Sequence, residues 1–163
     1  MSSMKLLLSL LLSAVLSVAQ AGTITIGQTV QLPKLQLLDN TTVDLQKNTG
    51  KLKFIEFWAT WCPYCARQNP EVNNLFTNNK HQLEVYAISI DRDKSTVVDH
   101  VEINDFEFKV AMLDDNWRKI FKQFNAVPVL IVLSPSNRVL DIWKGQIQLI
   151  EIPDLLIRYQ GKQ

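Results

Sequence analysis

Cys62 and Cys65 are the only cysteines in the chain, and two residues separate them. A pair at this spacing can close a disulfide, share a metal with further ligands, or exchange electrons as a dithiol. A disulfide across so short a gap restrains little of the unfolded chain, because the entropic gain grows with loop length. Zinc needs a second ligand pair. The two histidines, His81 and His100, are isolated and nineteen positions apart, which reads as ordinary surface or loop placement, so no metal is expected. Trp58, Trp61, Pro63 and Tyr64 flank the pair in an apolar and partly rigid setting. A reactive dithiol is the better explanation.

Two elements must position that dithiol. Residues 53–58, Lys-Phe-Ile-Glu-Phe-Trp, are short and mostly apolar and read as a buried strand. From Pro63 onward the pattern is helical, and Ala66, Val72, Leu75 and Phe76 can share one face. Pro63 suits a first helical turn, where its missing N–H is no loss, whereas Pro70 lies deeper and is expected to kink the helix. The first sulfur then stands at a helix N-terminus, where unpaired N–H groups and the dipole favour an anion. Such a setting lowers a cysteine pKa from ~8.5 into the range of about 3.5–7.5, and the thiolate is the nucleophile. Cys65, one turn further, reaches the same sulfur and is better shielded. Cys62 is therefore expected to attack a substrate disulfide, and Cys65 to resolve the mixed disulfide.

The remaining elements alternate. A hairpin is expected within 23–45, turning at Asp39-Asn40-Thr41. A strand over 83–90 follows, then a helix over 94–104 and a strand over 109–113. Asp114-Asp115 opens a helix whose apolar face is Trp117, Ile120, Phe121 and Phe124. Val127-Pro128 precedes a strand over 129–133, which turns through 134–137 into a strand over 139–143. A helix over about 149–159 closes the chain. Alternating strands and helices imply an α/β layered domain with an antiparallel edge.

The chain has 163 residues, 47% of them hydrophobic and 20% charged, with a net charge of +1. That composition gives one globular domain and excludes disordered, collagen-like and disulfide-dense classes. Near-neutral charge argues against a nucleic-acid partner. The first 21 residues read as a secretory signal: Lys5 near the start, an apolar stretch over 6–18, and Ala19-Gln20-Ala21 before Gly22. The alternative is an uncleaved membrane anchor, but thirteen apolar-type residues fall short of the ~20 that span a bilayer. The expected organisation is a signal over 1–21 and one domain over 22–163, exported to the periplasm.

Phe57-Trp58-Ala59-Thr60-Trp61-Cys62-Pro63-Tyr64-Cys65 resembles the active-site motif of thioredoxin-fold oxidoreductases. The nearer likeness is to their exported TlpA/ResA-like branch, which includes the cytochrome-maturation proteins called CcmG or DsbE. It covers residues 30–159 and includes the leading hairpin, Pro70 five residues after the second cysteine, the strand–helix insertion over 83–104, and Val127-Pro128. The resemblance implies a thioredoxin-like α/β fold: a central mixed sheet flanked by helices, with an N-terminal hairpin and that insertion.

Further roles are implied by the resemblance. Pro128 matches the cis-proline that faces the dithiol, and its backbone neighbour Val127 would pair with bound substrate; an ordinary trans proline is the alternative. Glu56 matches the buried acid beneath the cysteines, whose burial raises its pKa and suits it to take a proton from Cys65. A partly exposed glutamate at a strand edge is the plain alternative. Trp61 would cover the site, or merely pack. Pro63-Tyr64 departs from thioredoxin's Gly-Pro and is similar to the glutaredoxin pair, and such residues tune redox direction. A peroxiredoxin would carry Thr or Ser where Ala59 stands, and a copper chaperone of this fold needs a different cysteine spacing. A secreted binding domain with an inert disulfide is the non-enzymatic alternative. The branch implies a monomeric reductase with no cofactor, acting on proteins with cysteine pairs, apocytochromes c included. A membrane donor of the DsbD type would keep it reduced. An oxidase or isomerase is the other direction.

Overall fold

The apolar run that leads to Cys62 forms the middle of the sheet. In the computed structural model, which describes residues 23–148, 151 and 154–159, β3 (Leu52–Trp58) is buried at every position. It pairs in parallel with β4 (Leu83–Ser89), which pairs in parallel with β5 (Lys109–Met112). On its other side β3 runs antiparallel to β6 (Val129–Leu133), and β6 antiparallel to β7 (Val139–Lys144). The order is β5-β4-β3-β6-β7. The parallel crossovers carry α1 (Pro63–Asn78) and α2 (Lys94–Ile103), while α3 (Asp115–Phe121) joins β5 to β6 and α4 (Leu155–Tyr159) follows β7.

Strand alternation divides the core into two layers. Phe54 and Trp58 face Cys65, Val72 and Leu75 of α1, with Val97 of α2 and Leu155, Leu156 and Tyr159 of α4. Ile55 and Phe57 face the opposite layer, built from Trp117 and Ile120 of α3 and from Val30, Leu32 and Leu35. Glu56 therefore shares the α1 side with Phe54 and Trp58.

The leading hairpin is shorter than its sequence suggests: β1 (Leu35–Gln36) and β2 (Thr42–Val43) pair over two residues each. Its turn falls where expected, with Asp39 accepting from Thr41 N at 2.9 Å and Asn40 in the left-handed region at φ 67°. The neighbouring backbone hydrogen-bonds elsewhere, as Leu38 N donates to Val110 O at 2.9 Å and Leu37 bridges Ala111. The hairpin thus covers the edge strand β5, which would otherwise offer unpaired groups to another chain. The closing helix also starts later than expected, at Leu155; residues 149, 150, 152 and 153 lie outside the described residues, as does the expected export signal over 1–21. Among the described residues no helix is long and apolar enough to cross a membrane.

Lys53 is buried on β3, a place where an ammonium survives only with acceptors around it. Its Nζ donates to Leu45 O at 3.0 Å, Pro135 O at 3.2 Å and Asn137 Oδ1 at 2.8 Å. Burial pulls its pKa below the usual lysine value. Lys53→Met keeps the stem but leaves two of these acceptors without a donor. Chemical denaturation is expected to show a loss of about 2 kcal/mol.

Candidate active site

β3 ends at Trp58, and after three intervening residues the chain enters α1 with Cys62 as N-cap, in extended conformation at φ −87° and ψ 111°. Pro63 occupies the first helical turn, as its fixed φ favours. The helix continues through Pro70 to Asn78. Cys62 Sγ accepts a hydrogen bond from Cys65 N at 3.1 Å, and the two cysteines form a disulfide with Cα atoms 5.2 Å apart. Both are buried, Cys65 fully, so Cys62 is the nearer to solvent. A negative charge on Cys62 Sγ would meet the Cys65 N–H and the positive end of the helix.

The loop before Cys62 is pinned from β4. Asp91, two residues beyond that strand, accepts from Thr60 N at 2.9 Å and from Thr60 Oγ1 at 2.7 Å. Ser89 Oγ donates to the same carboxylate at 2.6 Å. Asp91→Ala is expected to remove about 1–2 kcal/mol of stability, and a thermal melt measures it.

Pro128 stands directly before β6, and Phe57 pairs with Val129, so the proline lies at the end of the sheet that carries Cys62. The Val127–Pro128 peptide is cis. Pro128 is buried and Val127 half-buried against both core layers. Trp61 is 66% exposed and Tyr64 52%, with Pro63 also at the surface. Trp61 is thus no packing residue. The Arg67 guanidinium lies 4.9 Å over the Tyr64 ring.

Glu56 is fully buried, which disposes of the exposed-edge alternative. Its Oε1 accepts from Gln68 Nε2 at 2.7 Å. Asn69 meets only acceptors at one amide end, Glu56 Oε1 and Cys65 O, so the network assigns its NH2 there, at 3.1 and 3.0 Å. Glu56 Oε2 has no hydrogen-bond partner among the described residues. Burial pushes the carboxyl from 4.5 up to about 7, while the Gln68 hydrogen bond acts the other way.

Some sequence expectations need correction. Ala66 faces solvent; the inner face of α1 is Cys65, Gln68, Asn69, Val72 and Leu75. Two buried amides disguised that face, because a hydropathy pattern reads Gln and Asn as exposed. The signal that could have found them is their spacing of three and four from Cys65, which puts them beneath it. His100 is half-buried on α2 and not a plain surface or loop residue: its ring packs on Trp58 and Phe106, with centroids 5.4 and 6.0 Å away. His81 is exposed.

Solved structures share this architecture. The thioredoxin domain of a thiol-disulfide oxidoreductase from Bacteroides vulgatus superposes with a TM-score of 0.71 at 16% identity, over 84% of this chain and 99% of that one. A thioredoxin family thiol:disulfide interchange protein from Chlorobium tepidum gives 0.70 at 16% identity, over 84% and 100%. The fold is thioredoxin-like. In sequence, the chain is similar to the thiol-disulfide oxidoreductase ResA of Bacillus thuringiensis, 28% identical over 112 residues, which is 67% of this chain and 64% of that protein. The chain therefore spans less than two thirds of that relative's length. ResA of Bacillus subtilis is 25% identical over 130 residues, 77% of this chain and 72% of that protein. The AhpC/TSA family model matches residues 26–142, a stretch that includes the hairpin, the cysteine pair, Glu56 and Pro128. The chain belongs to the AhpC/TSA family.

Proposed function

We propose that this chain is an exported thiol–disulfide oxidoreductase that passes electrons from its Cys62–Cys65 dithiol to disulfides in other proteins. The observation that carries the reading is the joined cysteine pair at the N-cap of α1 with a buried carboxyl behind it on β3. The names of the ResA relatives support it, and the segment over 1–21 supports export. Within the family, Ala59 disfavours peroxide reduction, because it has no hydroxyl to offer three residues before Cys62.

The exchange proceeds in two displacements. The Cys62 thiolate attacks one sulfur of the substrate disulfide, forming a mixed disulfide and expelling the other substrate sulfur as a thiolate. Cys65 then gives its proton to the Glu56 carboxylate and attacks Cys62 Sγ. That closes the Cys62–Cys65 disulfide and releases the second substrate sulfur, so two electrons have moved to the substrate. Val127, next to the cis peptide, pairs its backbone with the substrate chain, and Trp61, Pro63 and Tyr64 form the apolar rim. No cofactor enters. The protein works as a monomer on exported proteins with cysteine pairs, apocytochromes c among them, and a membrane dithiol donor of the DsbD type restores the reduced form.

Trapping the thiols of Cys62 and Cys65 in cells, with and without that donor, tests the direction. A reductase is mostly reduced with the donor and oxidised without it. A pair that is fully oxidised in both makes the protein an oxidase or isomerase.

A further inference from the structure

Gln68 lies on the inner face of α1, three residues after Cys65, and is buried. Both ends of its amide are engaged. Nε2 donates to Glu56 Oε1 at 2.7 Å, and Oε1 accepts from Ile147 N at 2.9 Å. Turning the amide over would set its NH2 against the Ile147 N–H and its carbonyl against the carboxylate. A backbone group after β7 therefore dictates which atom Gln68 shows to Glu56.

That backbone is itself held. Gly145 N donates to Pro128 O at 2.8 Å, and the Gln146 side chain accepts from Arg67 Nε and Nη2 at 3.2 and 3.1 Å. Around Glu56, β4 and β6 offer only Ala87 and Leu130 as cross-strand partners. α1 offers Cys65, Gln68 and Asn69, of which only Cys65 titrates, and only once reduced. Among the described residues two amide donors converge on Oε1 and none on Oε2.

We propose that Gln68 is a positioning residue for disulfide exchange: locked by Ile147, it holds a fixed N–H donor on Glu56 Oε1, so that the proton from Cys65 is taken and given up at Oε2. A donor to the charged form favours that form, so Gln68 keeps the carboxylate available when Cys65 must lose its proton. This rests on the reading of Glu56 as proton acceptor.

The test follows the Glu56 carboxyl directly, by carbon NMR of the full-length oxidised protein across pH, in wild type and Gln68→Met. Methionine keeps the length of the side chain and removes both amide groups. The Glu56 midpoint is expected to rise by about one pH unit, and the pH profile of mixed-disulfide resolution to move with it. A folded Gln68→Met with an unmoved midpoint overturns the proposal, since a merely structural Gln68 lowers stability without touching the titration. Should that variant not fold, the wild-type Gln68 side-chain NH2 resonances decide: they must titrate with the Glu56 midpoint, and flat shifts overturn it equally. If instead Glu56→Gln leaves exchange unchanged while Gln68→Met still moves the midpoint, the proton-acceptor reading fails and the Gln68–Glu56 linkage stands.

Discussion

Cys62→Ser is expected to reduce insulin no faster than buffer with dithiothreitol alone, while Cys65→Ser is expected to accumulate as mixed disulfides with its substrates. Serine is not ionised near neutral pH, so nothing at position 62 can attack a disulfide, whereas the nucleophile at 62 survives when 65 is changed. Cys65→Ser completes the first displacement and cannot begin the second. Non-reducing gels show the trapped species, and dithiothreitol releases them. The order of burial, with Cys65 fully enclosed and Cys62 nearer to solvent, favours this assignment. In the reduced wild type, alkylating reagent is therefore expected to modify Cys62 first. Preferential labelling of Cys65 reverses the roles. Both variants stay folded, because losing a bridge that closes only three positions removes about 2 kcal/mol.

Glu56→Gln is expected to slow the resolution of mixed disulfides at neutral pH by about 10²-fold, the lower end of what a positioned base contributes. In wild type the rate rises through pH about 7 as the carboxyl loses its proton and becomes a base. The variant lacks that rise. Stability must change too, and its sign follows from linkage. The carboxyl binds its proton more tightly in the folded state, about 7, than in the unfolded state, 4.5. The stability it contributes is therefore fully present below pH 4.5 and is lost as pH rises through about 7, a decline of about 3 kcal/mol. Glu56→Gln should flatten this decline and be the more stable protein at pH 8. Urea unfolding at pH 5 and pH 8 measures both slopes, and parallel slopes would make Glu56 a packing residue.

Much of the site is written in short spacings. The cysteines separated by two residues, the apolar run over 53–58 before them and Pro63 directly after the first of them specify a strand, a turn and a helix N-terminus. Each depends on neighbours a few positions away. The acid on β3 was legible through the resemblance of the motif around it, and the fold supplies the reason: β3 is buried at every position, and Glu56 lies between Phe54 and Trp58 on the side that α1 covers. What fills the space around it was not legible. Gln68 is twelve residues from Glu56 and seventy-nine from Ile147; Asp91 is thirty-one from Thr60; Lys53 is eighty-four from Asn137. In a sequence each of these side chains reads as one that water will satisfy, and that is where unfolded chains keep them. Only when the strands pair and α1 closes over β3 does water leave, and a buried donor must then find its acceptor in a distant segment. Local pattern decides which elements form and which atoms can react. The folded packing decides which polar groups are dried, turned and aimed at those atoms, because desolvation is a property of the assembled layers and of no single stretch of chain.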